Sequence, residues 1–407
     1  MKTEKFGFIA DTHLRLTQYG SERRGQDFLS AVLNAIDVCY LAGITTIFHG
    51  GDLLDASEID GRVFSKLRIV DAHLKGLGMR MFAITGNHDM SNEPWHSQLG
   101  NTLTELPDGT YEAKTFGIFD IDHTIVTVQG LRIWGLPFMN PSQLRATLAG
   151  FGTKFPNIPM VDFVMWHGMV KEFLPVAGDD AISCHDFAQW PCFTNVLLGD
   201  IHIRKFFALR HATGGPGIIG YPGSTEVTKS NEDVAKSVTV LTVQKYDDAF
   251  GGFKRPITPE VTSLPIKTRA YWPIRVTSED AMQTLLNSLQ TFDRKDHGPV
   301  ICATVSADIE SFAKRVHNAA PPGTLLLDPR VIDTSSSIAA AFDMSTIRGE
   351  DPVLEKVDVD VIIRKVLPGI IDDLDFNAFC DIARNPETAS AIFHSRVKEI
   401  IGRGIDK

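Results

Sequence analysis

The chain lacks most features of a secreted, membrane-embedded or uniformly basic protein. Its five cysteines (Cys39, Cys184, Cys192, Cys302 and Cys380) are scattered, odd in number and never spaced as Cys-x-x-Cys. That pattern argues against a disulfide framework or a zinc ribbon and for reduced thiols, with the cytoplasm as the expected compartment. No run approaches the roughly 18 consecutive apolar residues of a membrane helix. A strand pattern, Phe6-Gly7-Phe8-Ile9-Ala10, begins without an apolar leader ahead of it. Neither a signal peptide nor a membrane span is therefore expected. Positive charge is also short, forty Lys and Arg against fifty Asp and Glu, for a formal charge of −10. This excludes a uniformly basic nucleic-acid wrapper while leaving room for a local basic groove. What is present is a chain of 407 residues, 43% hydrophobic and 22% charged, sufficient for two or three domains with a large core.

The opening third alternates short β-rich runs with helical patterns. Phe6–Ala10, Ile44–Phe48 and Met79–Ile84 read as strands. Between them, Phe28, Val32, Ile36 and Cys39 recur at helical spacing and stop at Gly43, a suitable C-terminal cap, and Ile59, Val63, Leu67, Val70 and Leu74 mark a second helix. Strand–helix–strand–helix–strand with short connections implies right-handed crossovers and a sheet covered on both faces. Further strands are expected at Thr124–Val128, Leu131–Leu136, Val161–Met165, Asn195–Leu198 and Ser237–Val243. The mixed α/β domain is expected to run over 1–265, ending where Arg255-Pro256 and Thr258-Pro259 break regular structure. A small α/β unit over 266–337 and a helical tail over 338–407 follow, with no internal repeat.

Each of five strands is followed by metal-ligating residue types. Asp11-Thr12-His13 follows the first, His49-Gly50-Gly51-Asp52-Leu53-Leu54-Asp55 the second, and Gly86-Asn87-His88-Asp89 the third. Trp166-His167-Gly168 and Gly199-Asp200-Ile201-His202 follow two later ones. The carboxyl ends of strands are where open α/β sheets bind ligands. Oxygen and imidazole donors without thiolate favour manganese or iron over structural zinc. The donors are too many for one ion, so a pair of divalent cations, roughly 3.5–4 Å apart and clamping an in-line displacement at phosphorus, is the economical reading.

In this order, the segments DTH, GGDLLD, GNHD, WHG and GDIH resemble the calcineurin-like metallophosphoesterase superfamily. Within it, IADTHL, HGGDLLDAS and TGNHDM, joined by IWGLPF at 133–138 and YPGSTEVT at 221–228, are most similar to SbcD-type nucleases of double-strand-break repair. The fold implied is a sandwich of mixed sheets flanked by helices, with a small α/β DNA-capping domain and a helical tail where the family binds its ATPase partner. The resemblance further implies that Asp11, His13 and His202 hold one metal, manganese by family precedent. Asn87, His167 and Asp200 would hold the other, and Asp52 would bridge the two. His88 would protonate or stabilise the leaving oxygen, and water acidified by the two cations would attack. DNA, an SbcC-like ATPase subunit and a second copy of the chain are the partners implied.

One departure stands out. The family usually has histidine where this chain has Asp200. Three carboxylates against two dications leave about +1 at the site, where a histidine would leave about +2. Firmer metal retention with a weaker Lewis acid is expected, unless Asp200 bonds only a water.

Other polar residues receive lesser roles. Asp55 and Asp89 are expected to orient loops by hydrogen bonding, and His49 to be a packed strand-end residue. Arg15, Arg23, Arg24, Arg204 and Lys205 lie near the expected rim and are candidate phosphate contacts; His123 and His211 are candidates for outer contacts. The function expected is a metal-dependent DNA exonuclease with single-strand endonuclease capability. Two alternatives remain: another phosphoesterase, acting on cyclic nucleotides or phosphoproteins, and a non-catalytic DNA-end-binding subunit.

Overall fold

The computed structural model describes residues 2–332 apart from 56–60, 90–102, 108–109, 114, 120–124, 159, 175–180, 191, 212–215, 230–231, 233–234, 246–257, 293–297 and 308. The tail expected over 338–407 lies outside the described residues, as does its expected role in partner binding. The chain divides into two units, Met1–Thr304 with Ser311–Arg330 and Val305–Glu310 with Val331–Lys407. Both large sheets and every site residue lie in the first. Among the described residues no helix is long and apolar enough to cross a membrane.

Two sheets face each other. One contains β1 (Lys2–Ile9), β2 (Thr46–His49), β3 (Arg80–Ala83), β6 (Phe116–Ile118), β13 (Ser237–Lys245) and β14 (Glu260–Pro265), in the order β14-β13-β1-β2-β3-β6. The other contains β4 (Leu103–Glu105), β5 (Tyr111–Ala113), β7 (Ile125–Val128), β8 (Leu131–Leu136), β9 (Val161–His167), β10 (Phe193–Gly199), β11 (Lys205–Arg210) and β12 (Pro216–Tyr221). Its order is β11-β12-β10-β9-β8-β7-β5-β4. Strand alternation sorts the side chains into layers. Phe6, Phe8, Phe48 and Phe82 from the first sheet meet Ile133, Phe163, Met165 and Leu197 from the second in one buried cluster. Each such aromatic contributes about 1.5–3 kcal/mol by leaving water.

The outer faces are covered by helices, as the period-3.6 stripes anticipate. Val32, Ile36 and Cys39 of α1 (Glu22–Leu41) and Val63, Leu67, Val70 and Leu74 of α2 (Gly61–Leu77) pack with Ile9, Ile47 and Met81. Gly43, at φ +74°, closes α1 with its N–H on the Tyr40 carbonyl. On the far side, α3 (Pro141–Ala149), α4 (Phe151–Lys154) and α5 (Cys184–Ala188) cover Val164, Trp166, Val196 and Leu198. A smaller sheet contains β15 (Tyr271–Val276), β16 (Val300–Ser306) and β17 (Leu325–Leu326), with α6 (Glu279–Thr291) and α7 (Phe312–Ala319) beside it. Arg269, just before β15, reaches back to Asp27 of α1 at 2.9 Å.

Register sets up the site. β1, β2 and β3 pair in parallel with Ile9 opposite His49 and His49 opposite Ala83. In the second sheet Leu136 faces Trp166 and Gly199 faces His167, again in parallel. β1, β2 and β3 therefore end at matched levels in one sheet, as β9 and β10 do in the other, and polar segments follow each of these five strands.

Candidate metal centre

The loops after β1 and β2 are laced together by their backbones. The N–H groups of Asp11, His13 and Leu14 donate to the carbonyls of Gly51, Asp52 and Leu53 at 3.0, 3.0 and 2.9 Å. This lacing holds Asp11 at φ +52°, His13 at +44° and Asp52 at +54°, and Asp200 sits at +106°. L-residues seldom adopt such backbones, which cost on the order of 1–3 kcal/mol each and persist where surrounding contacts overdetermine them. Two glycines permit the close approach. A Cβ on Gly86 would stand 2.1 Å from Asp52 Oδ1, and one on Gly199 would stand 2.0 Å from the Gly50 carbonyl and 2.7 Å from His167 Nδ1.

Three groups of Asp and His side chains result. In the first, Asp11, His13 and His202 place ligand atoms within 4.8 Å of one another, and the two imidazole Nε2 atoms are 3.2 Å apart. In the second, Asp11, Asp52 and His167 do the same, with His167 Nε2 3.3 Å from Asp52 Oδ1 and 3.1 Å from Asn87 Oδ1. Asp52 spans both groups, since its other oxygen lies 3.8 Å from His13 Nε2. The third group is His13, Asp55 and His88.

The tautomers suit metal ligation. His167 Nδ1 donates to the Gly50 carbonyl at 2.8 Å, which turns Nε2 toward Asp52 and Asn87. His202 Nδ1 donates to Glu232 Oε1 at 2.7 Å, so its Nε2 lone pair faces His13. Electrostatics point the same way. Burial pushes the Asp11 carboxyl up to about 7 and the His13 imidazole down to about 3. Burial also works against ionisation of Asp52 and His167, but their mutual attraction wins and holds the first low and the second high. Protons held by Asp11, His167 and His202 balance the crowded carboxylates, and divalent cations can take the place of those protons. The donor set of oxygen and imidazole fits such ions.

His88 stands apart, with its side chain 46% exposed and its Nδ1 2.7 Å from Asp55 Oδ1. That hydrogen bond raises its pKa against the opposing effect of burial. Asp55 is held in turn by Arg15 at 2.9 Å. Asp89 is buried and accepts the N–H groups of Leu53, Leu54 and Gly86, tying the second loop to the third. His49 donates from Nε2 to Thr12 Oγ1 at 3.0 Å and accepts the Gly51 N–H. The Asp200 carboxylate belongs to none of the three groups among the described residues. Its backbone N–H donates to Asp11 Oδ1 at 3.0 Å, and burial raises its pKa despite His167 nearby.

Comparison with known proteins bears on the stretch that carries these residues. Residues 4–204, which carry all of these donors except Glu232, match the family model "Calcineurin-like phosphoesterase". This stretch is a calcineurin-like metallophosphoesterase domain. The chain is 25% identical over 232 residues to the DNA double-strand break repair protein Mre11 of Sulfurisphaera tokodaii, spanning 55% of this chain and 54% of that protein. The Mre11 of Thermoplasma acidophilum is 20% identical over 390 residues, 86% of this chain and 96% of that one. A dimetal phosphatase from Danio rerio aligns with 64% of this chain and 98% of its own at 12% identity, with a TM-score of 0.36. The chain thus spans about half the length of the first of these relatives.

Among the rim cations, one expectation is corrected. Arg24 is fully buried and donates to Gln18 Oε1 at 3.0 Å, Asp27 Oδ2 at 3.1 Å and the Val227 carbonyl at 2.7 Å, with Glu226 at 3.6 Å. It lies one turn before Phe28 on the inward stripe of α1, so it braces the phosphoesterase domain and does not contact phosphate. Arg23, Arg204 and Lys205 are exposed. Arg204 spends two donors on Thr239 Oγ1 and the Thr262 carbonyl, at 3.2 Å each, and Lys205 sits over the Phe207 ring at 4.9 Å. His211 is buried with Nε2 on the Thr194 carbonyl, away from any outer contact; His123 lies outside the described residues.

Sequence reasoning missed Glu232. Beyond His202, it accepts from Ser224 Oγ at 3.1 Å, the N–H groups of Thr228 and Lys229 at 3.1 and 3.0 Å, and Lys236 Nζ at 2.9 Å. The one signal available was a Glu and a Lys four residues apart just after YPGSTEVT.

Proposed function

We propose that the chain is a metal-dependent DNA nuclease that hydrolyses phosphodiester bonds, with two divalent cations, manganese by preference, as cofactors. The observation that carries this reading is the convergence of Asp11, His13, Asp52, Asn87, His167 and His202 beneath an exposed, carboxylate-paired His88. Similarity to the Mre11 proteins supports DNA as substrate, with double-strand-break repair or recombination as the setting.

In this reading Asp11, His13 and His202 would hold one cation and Asn87 and His167 the other, with Asp52 placed to serve both. Asp200 acts through its neighbours: its N–H fixes the Asp11 carboxylate. When bound, the two cations supply Lewis-acid charge to the phosphate and acidify water. Water oxygen bonds to phosphorus and gives up a proton to solvent as the bond to the leaving oxygen breaks, and His88 gives the leaving oxygen its proton. Asp55 keeps His88 protonated for the task, and Arg15 keeps Asp55 in place. Arg23, Arg204 and Lys205 provide cationic rim positions for the backbone of the nucleic acid. The tail is assigned to an SbcC-like ATPase subunit and the chain to a homodimer on the resemblance alone.

The test is manganese-dependent cleavage of linear duplex DNA by the intact chain and by His88→Ala. Cleavage lost in the variant with metal content unchanged supports the proposal. DNA left intact while a cyclic nucleotide or phosphopeptide is hydrolysed would transfer the site to another phosphoesterase class. Metal uptake without hydrolysis of any ester would leave only the end-binding role.

A further inference from the structure

Phe138 stands in the open beside His167, and an exposed Met169 follows His167 in the chain. Phe138, two residues past the end of β8, is 38% exposed, and Met169, two residues past His167, is 53% exposed. Neither belongs to a loose loop. The Phe138 N–H donates to the Thr85 carbonyl at 2.8 Å, which fixes it to the loop carrying Asn87 and His88. Its ring centroid is 6.4 Å from that of His167 with the planes at 69°. Met169 is pinned from both sides: the buried Tyr221 hydroxyl donates to the Gly168 carbonyl at 2.8 Å and accepts the Val170 N–H at 3.0 Å. Exposing a large apolar group forfeits the stabilisation of burying it, yet the fold anchors the Phe138 backbone with its ring half in the open beside His167.

We propose that Phe138 is a stacking platform for the base of a nucleotide adjoining the scissile phosphate. This rests on the nuclease reading and makes it more specific. Every base has a π face, so one ring can serve any sequence. A base within a duplex has both faces covered by its neighbours, so Phe138 selects strands that are unpaired or frayed at the point of cutting. The charge balance makes such a contact useful. A chain of formal charge −10 offers few cations to the phosphates, and stacking adds affinity that salt does not screen.

The experiment uses the full chain with manganese and single-stranded oligonucleotides carrying one abasic residue, walked through positions flanking the cut. At one position the abasic residue should slow the unsubstituted protein by roughly 5- to 100-fold. Phe138→Ala should slow cleavage of the intact oligonucleotide by a similar factor and be indifferent to the abasic residue. Phe138→Trp should restore the rate, and Phe138→Leu, which keeps the bulk, should not. A 2-aminopurine at the sensitive position, with calcium replacing manganese to block turnover, should be quenched on binding to the unsubstituted protein and brighter with Phe138→Leu. Metal content equal to that of the unsubstituted protein guards against a merely damaged site. If Phe138→Ala cuts as fast as the unsubstituted protein, or if its effect and the abasic effect multiply at every position, the platform is refuted while the nuclease reading stands. If the unsubstituted protein cuts no DNA at all, both fall together.

Discussion

Replacing Glu232 by Gln separates two jobs that one side chain performs. The carboxylate accepts His202 Nδ1–H at 2.7 Å and is the counter-charge of Lys236, whose side chain is only 3% exposed. Leaving a buried ammonium without its partner costs about 3–5 kcal/mol. Ser224 Oγ, 2.8 Å from Lys236 Nζ, softens that loss toward the lower figure. Loss of the carboxylate behind a metal-ligating imidazole costs about 10- to 100-fold in metal affinity, roughly 1.4–2.7 kcal/mol. The first effect is read from the urea midpoint of the metal-free protein, the second from calorimetric titration with manganese. Glu232→Gln should lower both. Adding Lys236→Met removes the orphaned charge and should recover most of the stability, while manganese affinity stays at least tenfold down. Recovery of metal affinity together with stability would refute the reasoning, because Glu232 would then act through general packing and not through His202. Acid has the matching sign. His202, Lys236 and Thr228 outweigh burial and hold Glu232 below the usual carboxylate range, so its stabilising contribution is present above the unfolded pKa and fades as pH falls.

Other outcomes follow from the same geometry. Manganese must displace protons from Asp11, pushed up to about 7, and from His167, raised to about 10. Apparent affinity should therefore climb with pH, with more protons released per site filled below pH 7 than near pH 8.5; calorimetry in buffers of different ionisation enthalpy counts them, and zero release at both values would contradict the assignment. Gly86→Ala drives a Cβ to 2.1 Å from Asp52 Oδ1 and should weaken metal binding at least tenfold, on the scale of displaced metal-site geometry. Equal manganese titration curves for the two proteins would show that the loop can move aside. Arg24→Met should lower stability by about 3 kcal/mol, because Glu226 loses its buried cation while Asp27 keeps Arg269 at 2.9 Å, and leave the salt dependence of DNA binding unaltered; a shallower salt slope would return Arg24 to the DNA contacts.

The parts of this fold that could be read in the sequence are those where local pattern and tertiary environment agree. Leu131–Leu136 is a strand over the range expected, β9 runs two residues further, through Trp166 and His167, and β10 adds Phe193 and Thr194 before and Gly199 after the expected Asn195–Leu198. These are central strands whose apolar runs are bounded by turn residues. Edge and glycine-rich strands were missed: β12 reads Pro-Gly-Ile-Ile-Gly-Tyr, and β14 at the sheet edge alternates only half-buried groups and ends in Pro265. The start of α3 was legible in principle. Asn140, Pro141 and Gln143 spell a capping box with proline at the first turn, and both hydrogen bonds of that box form. The metal-site motifs stood out because each follows a strand, so sequence order alone implied a shared edge. Arg24 and Glu232 could not be placed that way. Arg24 is buried through partners about two hundred positions away, Glu226 and Val227, and Glu232 matters only because His202 folds over it. A charge's surroundings, unlike a strand's period, are not written beside it.

The most direct measurement is anomalous diffraction at the manganese edge from crystals of the full chain soaked in manganese. Two peaks should appear on either side of the Asp52 carboxylate, roughly 3.5–4 Å apart, one within bonding distance of Asp11, His13 and His202 and the other of Asn87 and His167. A pocket without anomalous density, or a single ion that leaves His167 and Asn87 uncoordinated, would contradict a two-metal phosphodiesterase.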